Sequence, residues 1–233
     1  IYLLFSIVDS IIFQGVNRMK LWIVGFSITA ALLTASCGGK VDEMRQVAEN
    51  VKELSKAGEN MEKANQANEA KREERRKRGD TLAMPYQELQ KYLPESVSGY
   101  TAQEPSGSTM NMTGMSYSTT SRRYTKSAAD GAEESVEVTI IDYNASSELY
   151  TGMTAFWGTN FSMEDQNGYQ RSFDAGVKDV AGWEHYDKQN KSSDITTALG
   201  GRFILTVKVT AQPNNDLAKS IVKSMKLSEL AAK

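Results

Sequence analysis

Side chains that carry chemistry are scarce in this sequence, which holds one cysteine and one histidine among 233 residues. A single cysteine cannot form an internal disulfide, and with one histidine it supplies too few ligands for a zinc-type site. Any cysteine–histidine or serine–histidine mechanism would depend on His185, the only imidazole in the chain. We therefore expect no metal site, no cofactor and no catalytic residue.

Concentrated positive charge is also missing, because 27 basic residues face 29 acidic ones and the net charge is −2. Phosphate recognition needs a concentrated basic face, so this balance argues against a nucleic-acid partner. Phosphate-binding loops, nucleotide-binding glycine patterns and nucleophile elbows are absent from the sequence as well. The expected protein is not an enzyme, and its function is binding or scaffolding.

The longest apolar run covers Leu21 to Leu33. It is too short to cross a bilayer comfortably, because a membrane-spanning helix takes about 20 apolar residues. A basic Met-Lys start precedes the run, and small residues separate it from Cys37. This arrangement is typical of a secretory signal peptide, which we predict at 19–36. Residues 1–18 are then an upstream extension, with a second membrane segment as the alternative.

The segment Leu33-Thr34-Ala35-Ser36-Cys37 resembles the bacterial lipobox, with Cys37 as the lipid-bearing first residue of the mature chain. Thr34 departs from the usual pattern, which has a large aliphatic residue there, and looser lipoboxes of this kind are familiar in the Bacteroidota. The resemblance implies a lipoprotein of the cell envelope. Because Gly38 rather than an aspartate follows the cysteine, it also implies the outer membrane. The alternative is an uncleaved anchor helix with a free cysteine.

A charged helical stalk is predicted for residues 37–80, because 41–78 contains no proline and is rich in helix-forming residues. Its apolar residues recur at three- and four-residue steps and form a thin stripe of Val41, Met44, Ala48, Val51 and Leu54. Such a stripe favours a solvated spacer or a coiled coil, which would make the protein a homo-oligomer. A mobile linker is the alternative. We interpret the basic run 71–78 as a solvated helix end.

A short glycosylation pattern lies at the end of the stalk. Asp80-Thr81-Leu82 resembles the aspartate–hydroxyl–aliphatic triplet that Bacteroidota O-glycosylate on exported proteins. The resemblance implies Thr81 as the acceptor, in an exposed linker between stalk and domain.

Strand patterns dominate the remaining segment, 81–233, as alternating apolar residues bounded by turn signals. The clearest strand covers 135–143, and further strands are predicted at 107–126, 168–173 and 177–187. A two-glycine turn at 200–201 joins two more strands as a hairpin. Because helical patterns flank these strands, the economical fold is an α+β domain in which helices cover an antiparallel sheet.

One helix is predicted at 145–157, with Asn144 as its cap. Its buried side is expected to consist of Leu149, Met153, Phe156 and Trp157. Aromatic residues crowd this region, and we interpret them as core packing, with an apolar ligand pocket as the alternative. These residues are Tyr143, Tyr150, Phe156, Trp157, Phe161 and Tyr169.

Three further groups have both a structural and a chemical interpretation. His185 shares a strand face with Trp183 and Asp187, opposite Glu184 and Tyr186, and is interpreted as a surface histidine. Asp142 and the pair Glu164-Asp165 are interpreted as a cap and a solvated loop rather than as paired catalytic acids. The alternating methionines are interpreted as core residues, with soft-metal binding or groove lining as the alternative; they are Met110, Met112 and Met115.

Several short motifs carry a second resemblance, namely Leu93-Pro94-Glu95, Gly99-Tyr100, Gly168-Tyr169, Gly182 to Asp187 and Gly201-Arg202-Phe203. They resemble uncharacterised bacterial exported proteins, and the element order is similar to the Mog1/PsbP-like fold over most of 84–230. The resemblance implies a docking module and no reaction. The expected function is a lipid-anchored interaction or scaffolding module with an unidentified envelope protein as partner. The alternative is a small-ligand or metal carrier with an apolar pocket.

Overall fold

The computed structural model describes residues 58–59, 62–113, 115–127, 133–154, 157 and 161–233. The predicted extension, the signal peptide, Cys37 and the apolar stripe of the stalk all lie outside these residues. The first described element is helix α1, which covers 62–77. Among the described residues, none of the helices combines the length and the hydrophobicity that a membrane span requires.

Nine strands and four more helices follow α1 in the described part of the chain. The strands are β1 (Thr101–Ala102), β2 (Ser106–Met112), β3 (Met115–Ser127), β4 (Glu133–Asp142), β5 (Ser162–Glu164), β6 (Gly168–Phe173), β7 (Val180–Asp187), β8 (Ser192–Leu199) and β9 (Phe203–Val209). The helices are α2 (Tyr86–Leu89), which a 3₁₀ turn (Gln90–Tyr92) continues, α3 (Ser147–Thr154), α4 (Asp216–Ser224) and α5 (Leu227–Ala231).

The described strands form one sheet in the order β1-β3-β4-β9-β8-β7-β6-β5, and β2 pairs with β3 next to β1. Every pairing is antiparallel. The hairpin of β8 and β9 turns at the two predicted glycines, and the segment 107–126 is the hairpin of β2 and β3. The predicted α+β class with an antiparallel sheet is therefore confirmed.

One face of the sheet, which we call the core face, packs against α2, α4 and α5. The side chains of Val136, Val138 and Ile140 on β4 are fully buried there, as the alternation predicts. The helices contribute buried side chains such as Leu89, Val222 and residues of α5. Burial of each large aliphatic side chain stabilises the fold by about 1.5–3 kcal/mol.

The opposite face, which we call the open face, carries rows of side chains across the strands. Two polar rows include His185, Asp194, Lys208 and Glu137 in one and Thr196, Thr206 and Thr139 in the next, and an apolar row includes Ala198, Ile204 and Ile141. Helix α3 covers one end, where Tyr150 packs against Ala198 and Ile204.

Helix α3 differs from its prediction in length, orientation and cap. Leu149 and Met153 are 56% and 44% exposed, so the prediction that they are buried is wrong. Tyr150 takes the buried position, because its ring fills the surface above Ala198 and Ile204. Trp157 is partly buried beside this cluster, whereas Phe156 lies outside the described residues.

Candidate functional site

Of the two predicted modification sites, Thr81 lies within the described residues and Cys37 does not. Thr81 is exposed in the segment between α1 and α2, and its backbone N–H donates to the carbonyl of Gly79 at 3.1 Å. Its side chain therefore lies at the surface, and glycosylation there remains a prediction.

Helix α1 lies against the end of the sheet through a polar side. Its buried or half-buried residues include Asn65, Asn68, Arg72 and Arg75, which recur at three- and four-residue steps. Residues with this spacing share one face of a helix. Lys71 adds an ion pair to Asp179 at 3.0 Å. Arg75 therefore belongs to the packed domain, and its interpretation as part of a solvated helix end is wrong, whereas residues 76–78 are exposed as that interpretation predicts.

Arg75 is the deepest contact of α1, with only 3% of the residue exposed. Its Nε donates to Oδ1 of Asn144 at 2.8 Å, and its Nη atoms donate to the carbonyls of Gly200 and Gly201 at 3.3 and 3.2 Å. Burial lowers the pKa of Arg75, and so does the neighbouring Arg202 guanidinium. The carbonyl oxygens of the two-glycine turn therefore bind the buried guanidinium of Arg75 on α1.

A second buried arginine completes this contact, which we call the joint and define as Arg75, Asp80, Asp142, Asn144 and Arg202. Arg202 donates from Nε and Nη2 to the carboxylate of Asp142 at 2.7–3.0 Å, and from Nη1 to Asp80 at 2.6 Å. Burial by itself would lower the pKa of Arg202. The Asp142 carboxylate more than offsets this effect, so the pKa lies above its ordinary value. In the joint, the guanidinium of Arg202 is therefore bound by two carboxylates, those of Asp142 and Asp80.

The amide of Asn144 connects the two ends of the joint. Its Oδ1 accepts from Arg75, while its Nδ2 donates to the Asp80 side chain at 3.1 Å and to the Leu82 carbonyl at 3.0 Å. Asn144 is therefore not the cap of α3, because its side chain is committed to the segment after α1. Asp142 is not a partner of Glu164 and Asp165 either, since it is fully buried against Arg202.

Helices α1 and α5 both approach the sheet at the two-glycine turn. Gly200 and Gly201 have φ of +63° and +71°, a backbone region that side chains with a Cβ rarely adopt. A Cβ on Gly200 would lie 2.3 Å from the Ala231 carbonyl oxygen, and one on Gly201 would lie 2.8 Å from Asn68 Oδ1. The turn is therefore shaped for close packing as well as for reversing the chain.

A second buried charge, Glu184, lies on the core face of β7, with 3% of its side chain exposed. Lys219 of α4 donates to its carboxylate at 2.8 Å, Asn215 donates at 3.2 Å, and Arg171 pairs with its other oxygen. Burial alone would raise the pKa of Glu184, but the hydrogen bonds from Lys219, Arg171 and Asn215 lower it below the ordinary value. Sequence patterning placed Glu184 on this face and missed its partners.

Replacing Glu184 with glutamine is expected to lower stability at neutral pH by about 1–3 kcal/mol, since a buried charged acceptor is lost. Because the folded pKa is lowered, this contribution is present above the unfolded pKa of about 4.3 and disappears as pH falls through the folded pKa. Urea denaturation across this range should show the two proteins converging in acid. Glu164→Gln, at an exposed ion pair with Lys188, is the control and should match the parent throughout. A constant difference at every pH would contradict the assignment.

His185 lies on the open face beside Asp194, with Nδ1 3.4 Å from Oδ2 across the strand pair. Trp183 and Asp187 share that face, so the predicted side of the strand is confirmed. Within the described ranges, no three His, Cys, Asp or Glu side chains are grouped so that they could hold a metal ion.

Three clefts open to solvent are lined by described residues. One of about 140 Å³ includes Met163, His185 and Asp187. The second, of about 490 Å³, lies beside the joint, and the third, of about 580 Å³, lies between α1 and α3. These three are open rather than closed, so none of them is the enclosed pocket that the carrier hypothesis requires.

The aromatic residues near α3 are divided among three places. Tyr143 and Trp157 pack beside Tyr150 on the open face, and Phe161 stacks on Trp183 with ring centroids 5.1 Å apart. Tyr169 lies against Tyr186, at 5.7 Å, on the core face. The aromatic residues of the described segments therefore do not line one common pocket.

No protein-family model matches the chain, and the comparisons with curated proteins and with solved structures found no match either. The joint and the open face are therefore the features of this chain that bear on its function.

Proposed function

We propose that the protein is a lipid-anchored, non-catalytic interaction module of the cell envelope, whose open face binds a partner protein. The observation that carries the proposal is a set of exposed apolar side chains on that side of the sheet. They are Leu149, Met153, Phe161 and Met163, which are 41–56% exposed. Large exposed apolar side chains that gather on one side of a domain are typical of a protein-binding surface.

These side chains reach the open face from two elements. Leu149 and Met153 are one turn apart on α3, which Tyr150 fixes against Ala198 and Ile204. Phe161 stacks on Trp183, and Met163 pairs with Gln170, next to His185. An apolar patch beside charged and hydroxyl side chains resembles the mixed composition of transient interfaces, with an apolar centre and a polar rim.

The joint also supports the proposal, because it fixes α1, the described helix nearest in sequence to the proposed lipid anchor. Because Arg75 and Arg202 fix α1 and the segment after it against the sheet, the orientation of α1 relative to the open face is set by buried contacts. A partner bound at the open face would then lie at a defined orientation to α1. The same proposal includes lipidation at Cys37, the outer-membrane location and likeness to the Mog1/PsbP-like fold, which depend on sequence resemblance. It also includes self-association of the stalk, which depends on the spacing of its apolar stripe.

The anchor is tested by metabolic labelling with palmitate in a bacterial host. The intact chain should incorporate label and show Cys37 as its mature first residue, and Cys37→Ser should do neither. Label that persists in Cys37→Ser, or a mature start at another residue, would refute the anchor.

The interface is tested with a photo-crosslinking amino acid at Leu149 in the lipidated protein, in intact cells. The matched control is Leu82, which is 57% exposed but belongs to the segment after α1. We expect a discrete adduct with one envelope protein from position 149 and none from position 82. Identical adducts from both positions, or none from either, would mean that the open face is not the binding surface.

A further inference from the structure

The hairpin of β2 and β3 brings three methionines to one face of the sheet. Met112 and Met115 are direct cross-strand partners, and Met110 lies two residues before Met112 on the same strand. Residues two apart on a strand share a face, and cross-strand partners share it too. The sequence places these thioethers within six residues, but only the register shows that all three side chains emerge on the same side.

Core packing does not account for this cluster. Met112 is 60% exposed, so its interpretation as a core residue is wrong, and Met110 and Met115 are half-buried. Among the described residues, the two buried apolar clusters and the side chains packed against them include none of the three. Three large apolar side chains therefore lie together at a surface hairpin.

The spacing allows the three sulfur atoms to approach one point. Cross-strand partners have Cβ atoms about 4.5–5.5 Å apart. Alternate residues on one strand are roughly 6.6 Å apart, at about 3.3 Å per residue. Methionine has three rotatable side-chain bonds, so each thioether can turn toward a shared centre.

The surroundings of the cluster favour one class of ion. Thioethers are soft ligands that prefer Cu(I), whereas hard divalent cations prefer oxygen ligands. From Pro105 to Ser121 the chain carries no charged residue and no histidine, so no carboxylate or imidazole of this hairpin competes for the site. Because thioethers are uncharged, they do not neutralise the charge of a bound ion. A monovalent ion therefore suits the site better than a divalent one.

We propose that Met110, Met112 and Met115 form a binding site for a soft monovalent cation, Cu(I) or its analogue Ag(I). The site lies at the β2–β3 end of the open face, because Met110 pairs with Tyr117, which shares a side with Thr119 and its partner Ile141. Neither proposal depends on the other. The β2–β3 hairpin would then bind a metal ion, with three neutral thioether sulfurs as ligands.

The test is calorimetric titration of the full chain with Ag(I) in detergent, with Cys37→Ser in every protein to remove the competing thiol. The parent should bind one Ag(I). The triple variant with leucine at 110, 112 and 115 should lose more than the roughly 10–100-fold that loss of an outer-shell partner costs. Methionine-to-leucine changes conserve volume, so the triple variant should keep the fold.

The control carries leucine at the exposed methionines Met153 and Met163, and should retain the parent's affinity. Methyl signals of the three hairpin methionines should shift together on titration. Affinity should be equal at about pH 6 and about pH 8, because thioethers do not titrate there whereas histidine does. A parent without binding, a triple variant with unchanged affinity, or equal losses in variant and control would each overturn the proposal.

Discussion

Replacement of Arg202 with methionine should lower the free energy of unfolding by about 3–5 kcal/mol, the usual cost of leaving one partner of a buried ion pair uncompensated. Asp142 is fully buried and accepts three hydrogen bonds from Arg202, so the variant would hold a carboxylate without its cation. Asp80 would lose its 2.6 Å contact as well. Urea denaturation at neutral pH, followed by circular dichroism, measures the change.

The matched control is Arg123→Met, at an arginine whose partner Glu133 lies 2.9 Å away in an exposed pair. Exposed ion pairs are worth about 0–1 kcal/mol, so this variant should unfold almost like the parent. If Arg202→Met and Arg123→Met lowered stability equally, the joint would not be the buried network described here. Hydrogen exchange in 62–77 should rise only in Arg202→Met, because the joint holds α1 against the sheet.

Replacement of Gly200 with alanine is the second change with a large expected effect, a loss of about 2–5 kcal/mol. A left-handed backbone costs a residue with a Cβ about 1–2 kcal/mol. The new methyl group would also lie 2.3 Å from the Ala231 carbonyl oxygen, so α5 must move. Forcing extra atoms into packed structure adds about 1–3 kcal/mol. Thermal and urea unfolding measure the sum.

Gly176→Ala separates the two contributions. Gly176 has φ of +71°, but no atom lies within 4 Å of the position that its Cβ would take. It should therefore lose only the backbone contribution, about 1–2 kcal/mol. Equal losses in Gly200→Ala and Gly176→Ala would show that α5 does not press on the turn.

Local patterns predicted the sheet well because the information needed for a strand lies within a few residues. Alternation along 135–143 predicted the buried side of β4, and the glycine pair predicted the hairpin turn. The sides of β7 were also predicted, including the placement of Glu184 opposite His185. Helix α5 was not predicted, because five residues are too few to establish a helical period.

Local patterns did not predict which side chains are buried where contact with a distant segment of the chain determines the burial. The run 71–78 contains several arginines that are equivalent by composition, yet Arg75 alone of them is buried. Its partners Asn144 and Gly200 lie 69 and 125 residues away. On α3, Leu149 and Met153 were predicted on the buried side, and contact with Ala198 and Ile204 selected Tyr150 instead.

By itself the sequence determined the α+β class, the chief strands and their sides, the tight turn and the prediction of a lipidated Cys37. These follow from short-range chemistry: side-chain alternation, the freedom of glycine and a leader pattern. The tertiary structure decided that α1 is held to the sheet by Arg75, that α3 presents Leu149 outward, and that three methionines share one side of the β2–β3 hairpin. Each of these depends on strand register or on contacts between segments far apart in the chain, and such contacts exist only after the sheet has formed.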